Sequence, residues 1–137
     1  MHEWAFAEGI VNTALEESKR RNISRLSKVV IVLGELQSIE KDIVEFAIDN
    51  LKKDTPACEA DFVFETEQVK FECRNCGNRW LLSDIEPESG ENEIIRESIH
   101  YVPEVAHSFF SCPSCGSKDF EIVQGRGVYI KTLEGFQ

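Results

Sequence analysis

Residues 28–36 read KVVIVLGEL. The β-branched run from Val29 to Leu33 predicts a buried strand, closed by Gly34. Near the other end of the chain, GRG (125–127) introduces a second such run, VYIKTLE (128–134), whose natural place is in the same sheet. The stretch from Cys73 to about Gln124 changes character and is therefore read as an insertion between two strands of one domain.

The helices flanking the first strand follow from apolar periodicity. Trp4, Ala7, Ile10, Val11, Ala14 and Leu15 recur at three- and four-residue intervals, with Glu8, Glu16, Glu17 and Lys19 between them. This predicts a helix of about four to five turns, ending at KRRN, where cations suit the dipole and Asn22 suits a C-cap. Ser38 offers an N-cap to a second helix with the stripe Ile39, Ile43, Phe46, Ala47 and Leu51, stopped before Pro56. Alternation from Ala60 to Phe71 predicts one long strand, or two with a bend near Glu67. The expected fold is α+β: a small mixed sheet packed with two helices, plus an inserted four-cysteine zinc-ribbon-like domain. The boundaries are 1–71 with 125–137 for the first domain and 72–124 for the second.

Composition excludes whole classes of function. Apolar residues form 42% of the 137, including nine phenylalanines, which argues for a packed core. Fifteen Lys and Arg face 25 Asp and Glu, a formal charge of −10, so the average surface repels phosphate backbones and acidic membranes. No apolar run is long enough to span a bilayer, and the start lacks a basic segment followed by an apolar one; a cytoplasmic location is expected.

Five cysteines in such a setting are expected reduced. Four fall in two matching stretches, CRNCGN (73–78) and CPSCGS (112–117). In each, a two-residue gap and a following glycine let a tight turn aim backbone amides at thiolates, with Gly77 or Gly116 taking the positive φ. Cys73, Cys76, Cys112 and Cys115 thus supply four sulfurs to one tetrahedral ion, zinc in preference to rubredoxin-like iron. Four protein ligands leave no open position, so the site is expected to be structural. Nucleic-acid binding is disfavoured: residues 72–124 hold ten acids against four bases. Cys58 stands alone and reads as a small apolar residue at the start of a strand.

The three histidines are His2, His100 and His107. Only His2 lies beside an amine: the Met1 nitrogen, the main-chain nitrogen of residue 2 and the imidazole can close fused chelate rings. Planar nitrogen donors favour Ni(II) or Cu(II), with a fourth donor from Glu3 or elsewhere. The positive end of a helix dipole opposes a cation by only about 0.3–1 kcal/mol, against roughly 8 for a micromolar complex.

MHEW (1–4), VLGELQSI (32–39), the two cysteine stretches in order and GRGVYI (125–130) together resemble the HypA family, nickel metallochaperones of hydrogenase maturation. The resemblance implies Ni(II) as cargo at Met1, His2 and Glu3, and structural Zn(II) at the four paired cysteines. It also implies delivery to the hydrogenase large-subunit precursor and cooperation with a HypB-type nucleotide-hydrolysing partner. One departure is the 35-residue stretch between Cys76 and Cys112, longer than in many members and holding the other two histidines. His100 is expected as an additional nickel ligand, His107 as the lesser candidate. The chain is not expected to be an enzyme, having no Ser-His-Asp order and no phosphate loop. The alternative is a zinc-ribbon interaction module or rubredoxin-like protein without a nickel role.

Overall fold

The computed structural model describes residues 2–37, 39–84 and 92–137; the expected Ser38 cap and Met1 fall outside these. The chain runs α1 (Glu3–Arg20), β1 (Arg25–Gly34), α2 (Lys41–Leu51), β2 (Asp61–Glu67), β3 (Lys70–Cys73), β4 (Arg79–Leu81), α3 (Asn92–Tyr101), α4 (Ala106–Phe109), β5 (Phe120–Gln124) and β6 (Val128–Phe136). The two sheets are ordered β2-β1-β6 and β4-β3-β5. The return of the last strand to the sheet of β1 is as anticipated. By compactness, one unit comprises Met1–Val32, Ile39–Glu65 and Tyr129–Gln137, and the other Leu33–Ser38 and Thr66–Val128.

In the first unit, α1 packs against α2. The buried residues of α1 are Glu3, Ala7, Ile10, Val11, Ala14 and Ser18. The helix ends because Asn22 takes a left-handed φ of 59°, letting Asn22 N–H reach the Lys19 carbonyl at 3.2 Å and Ile23 N–H the Ser18 carbonyl at 2.8 Å. That pairing is a Schellman stop, which retires two otherwise unpaired helix-end carbonyls. The core adds Leu26, Val29 and Ile31 from β1, with Phe62, Phe64, Ile130 and Leu133 of the neighbouring strands partly buried on it.

The apolar stripe of α2 differs from expectation. Val44, Ala47 and Ile48 are buried, whereas Ile43 and Phe46 are exposed. Both sets satisfy helical spacing, and the fully buried set is the one that reaches the sheet core. Trp4, also exposed, meets Phe46 edge to face at 6.2 Å instead of entering the core. Cys58, expected at the start of a strand, is exposed in the turn three residues before β2, and Ala57 and Ala60 fill the interior there. Ala60 to Phe71 resolves into two strands in different sheets, β2 and β3, parted at Gln68 and Val69.

The second unit is a three-stranded antiparallel sheet, with Phe71 opposite both Trp80 and Ile122. Its core is aromatic: Phe71 stacks on Trp80 at 5.5 Å and meets Phe120 edge to face at 5.3 Å. Ile95 and Ile99 of α3, Leu36, Val69 and Leu82 complete it. Glycine is required where Gly34 and Gly125 meet, since a Cβ on Gly34 would strike the Gly125 carbonyl, and one on Gly125 would lie 2.6 Å from Val69 Cα.

Candidate metal centre

Each cysteine stretch folds into the same turn. Gly77 N–H donates to the Cys73 carbonyl at 2.9 Å, and Gly116 N–H to the Cys112 carbonyl at 2.8 Å. Cys73 N–H donates to the Asn78 carbonyl and Cys112 N–H to the Ser117 carbonyl, both at 2.8 Å. The turns close because Gly77 and Gly116 sit at φ 78° and 76°. In each turn the first cysteine is buried and the second exposed, so β3 and the chain before β5 carry the inner sulfurs while the turn tips carry the outer ones.

The four sulfurs lie within 4.8 Å of one another. Cys73 Sγ is 3.6 Å from Cys115 Sγ, and Cys76 Sγ is 3.6 Å from Cys112 Sγ. A tetrahedron with metal–sulfur bonds of about 2.3 Å has sulfur–sulfur edges of about 3.8 Å, so the donor set fits one such ion. Main-chain N–H groups aim at the inner sulfurs: Cys76 N–H at Cys73 Sγ and Ser114 N–H at Cys112 Sγ, both 3.4 Å. The two turns also support each other, Asn75 Nδ2 donating to Cys115 Sγ at 3.5 Å and Asn78 Nδ2 to Cys112 Sγ at 3.9 Å.

This field ionises the sulfurs unevenly. Desolvation opposes ionisation of Cys112, but the N–H groups of Cys115 and Ser114 overcome it and bring the thiol down to about 6. The Asn75 amide, then the Ser117 N–H, holds Cys115 below its ordinary value. Cys76 receives the Asn78 N–H, yet desolvation and contact with the other three sulfurs push it up to about 11. Packed thiolates repel; a divalent cation removes that repulsion and takes all of them as thiolates.

At the amino terminus, His2 is exposed and its carbonyl accepts the Phe6 N–H at 2.9 Å, the first bond of α1. Glu3 is 7% exposed and its Oε2 accepts the Glu40 N–H at 3.2 Å, at the start of α2. That main-chain N–H holds the Glu3 carboxyl below its usual range.

Comparison with known proteins adds the deciding observation. The family described as "HypA: Hydrogenase/urease nickel incorporation, metallochaperone, hypA" matches residues 1–135. The chain belongs to the HypA family. It is 52% identical to the hydrogenase maturation factor HypA of Pyrococcus horikoshii over 134 residues, covering 98% of this chain and 95% of that one. With the HypA of Thermococcus sibiricus it shares 48% over 134 residues, covering 98% and 96%. Its fold is similar to the solution structure of the Ni metallochaperone HypA from Helicobacter pylori, with a TM-score of 0.62 at 20% identity over 99% of this chain and 98% of that one. As a HypA, this chain is a nickel-incorporation metallochaperone of hydrogenase maturation.

Among its predicted site residues, the structure brings the four paired cysteines together. His107 and His100 have different surroundings. His107 Nδ1 is 2.7 Å from the Lys118 carbonyl and its ring lies 4.5 Å from that of Phe120, a packing role. The His100 ring meets that of Tyr101 at 4.9 Å, and the residue is one of those lining a cavity of about 180 Å³, with Leu36, Gln37, Ile99 and Arg126. Sequence reasoning missed Asn75 and Asn78, whose signal was the amide residues at the third and sixth positions of CRNCGN. It also missed the Glu40 N–H, which no local pattern announces.

Proposed function

We propose that this chain carries Ni(II) as cargo, held by the Met1 amine, the main-chain nitrogen and imidazole of His2 and the carboxylate of Glu3, and passes it to the hydrogenase large-subunit precursor. The observation that carries the reading is MHE at the start of the chain, with His2 exposed where α1 begins. The nitrogens suit Ni(II), and the exposure of His2 suits release. His100 is proposed as an additional donor and His107 as the lesser candidate, because the long stretch between Cys76 and Cys112 holds both.

The four-cysteine cluster holds Zn(II) structurally; its sulfur spacing and closed donor set support this. The nickel role belongs to residues 1–71 with 125–137, and the zinc role to 72–124. The carrier performs no catalytic step itself, and nucleotide hydrolysis belongs to a HypB-type partner in the cytoplasm. In the described residues no helix is long and apolar enough to cross a membrane.

The test compares nickel binding by calorimetry and zinc content for the parent, for His2→Ala and for a version with a few residues added before Met1. Extension and His2→Ala are both expected to abolish nickel binding while zinc stays at one per chain. Unchanged nickel binding in His2→Ala overturns the reading. A red, redox-active protein with iron at the cysteines would favour a rubredoxin-like one.

A further inference from the structure

Three large apolar side chains of the first unit stay outside its core. Trp4, in the first turn of α1, is 47% exposed, and Ile43 and Phe46 of α2 are 39% and 63% exposed. None of them joins the apolar cluster beneath the two helices. Trp4 and Phe46 meet edge to face at 6.2 Å, and Ile43 stands one turn before Phe46, so the three form one patch across both helices. Single apolar residues are ordinary at a surface, whereas an aromatic pair extended by an isoleucine marks a place that another molecule covers.

The patch is held in shape. Glu3 Oε2 accepts the Glu40 N–H at 3.2 Å, tying the start of α1, one residue before Trp4, to the start of α2. Both rings therefore stand on packed helices, which lowers the ordering cost of covering them. The rim is acidic: Glu8 lies one turn after Trp4, and Asp42 and Asp49 lie one turn before and after Phe46. All three acids are exposed. Asp49 has Lys52 at 3.7 Å, while Glu8 and Asp42 have no ion pair among the described residues. Lys41, beside Asp42, places its Nζ over the Phe64 ring at 5.9 Å. Apolar side chains bordered by unneutralised carboxylates complement a basic segment that carries an aliphatic or aromatic anchor. The patch begins two residues after His2, so whatever covers it has that imidazole at its border.

We propose that Trp4, Ile43 and Phe46 form the docking surface for the protein that receives the nickel, engaging a basic amphipathic segment of the hydrogenase large-subunit precursor. The choice of recipient rests on the nickel-carrier reading given above; the surface itself rests on exposure, ring contact and charge.

The experiment measures the affinity of the full-length protein for the purified precursor by calorimetry at low and high salt, with nickel affinity, zinc content and melting temperature alongside. Phe46→Ala is expected to weaken precursor binding about 30-fold, as loss of a central aromatic anchor does, at unchanged nickel affinity and zinc content. Glu8→Gln combined with Asp42→Asn should weaken it several-fold at low salt and little at high salt. Ile94→Ala, which trims a comparably exposed apolar side chain on α3, should change nothing. Unchanged precursor affinity in Phe46→Ala overturns the docking surface, as does an equal loss in Ile94→Ala. A precursor that the parent does not bind, a loss confined to the nucleotide-hydrolysing partner, or a parent dimer that Phe46→Ala dissolves in sedimentation each overturns the assignment of the occupant. If His2→Ala binds nickel as the parent does while Phe46→Ala still weakens precursor binding, the carrier reading falls and the docking surface stands.

Discussion

Asn75, in the first cysteine turn, donates its side-chain amide to Cys115 Sγ in the second at 3.5 Å. The bond crosses between turns 40 residues apart in sequence and is the leading cause of the lowered Cys115 thiol. Asn75→Ala should raise that thiol and weaken zinc binding by about tenfold without abolishing it. Competition with a chromophoric chelator measures this, and unchanged affinity would show the contact to be incidental.

Alkylation separates the cysteines. With zinc bound, only exposed Cys58 should react quickly. In freshly stripped protein at neutral pH, Cys115, exposed and lowered, should react ahead of Cys76, exposed but pushed up to about 11. Mass mapping of adducts over time reads the order, and Cys76 reacting first contradicts it.

Zinc removal should unfold the second unit selectively. Binding at four cysteines contributes on the order of 10 kcal/mol, comparable to the stability of a domain. Trp80, 5% exposed among Phe71 and Phe120, should shift its emission to the red on chelation, with a Trp80→Phe control to remove the contribution of Trp4. Helical circular dichroism from α1 and α2, which have their own core, should largely persist.

The Glu3 carboxyl is lowered in the folded state by the Glu40 N–H, so its stabilising effect is present above the ordinary carboxylate range and is lost as pH falls through the folded value. Glu3→Gln should therefore be less stable than the parent at neutral pH, the two converging in strong acid. Urea titrations across pH test this; a gap that widens on acidification has the wrong sign.

Gly125→Ala should destabilise by about 2–4 kcal/mol, since the position has φ 90° and the added carbon would lie 2.6 Å from Val69 Cα and 2.8 Å from the Gln68 carbonyl oxygen. Thermal melts with zinc held constant would show it.

Much of the architecture was legible because it is local or periodic. The helix stop at Asn22, the strands through Val29–Leu33 and Val128–Glu134 and the two cysteine turns all depend on neighbouring residues. The errors lie where two local readings were equally good. Ile43 and Phe46 satisfy a three-residue helical spacing as well as Val44 and Ile48 satisfy a four-residue one, and Cys58 is small and apolar like Ala57 and Ala60. Periodicity names a face but does not say which neighbour covers it.

The sequence by itself determined the chemistry of the cysteine donors: two six-residue turns that each present a cysteine pair. Such chelates need only a few bonds of chain between their atoms, so spacing suffices to identify them. Tertiary structure alone decided that Glu3 meets the Glu40 N–H, that Asn75 reaches Cys115, and that Glu35 clamps Arg96. Those partners are 37, 40 and 61 residues apart, and what joins them is the packing of separate elements around a core, which no local spacing encodes.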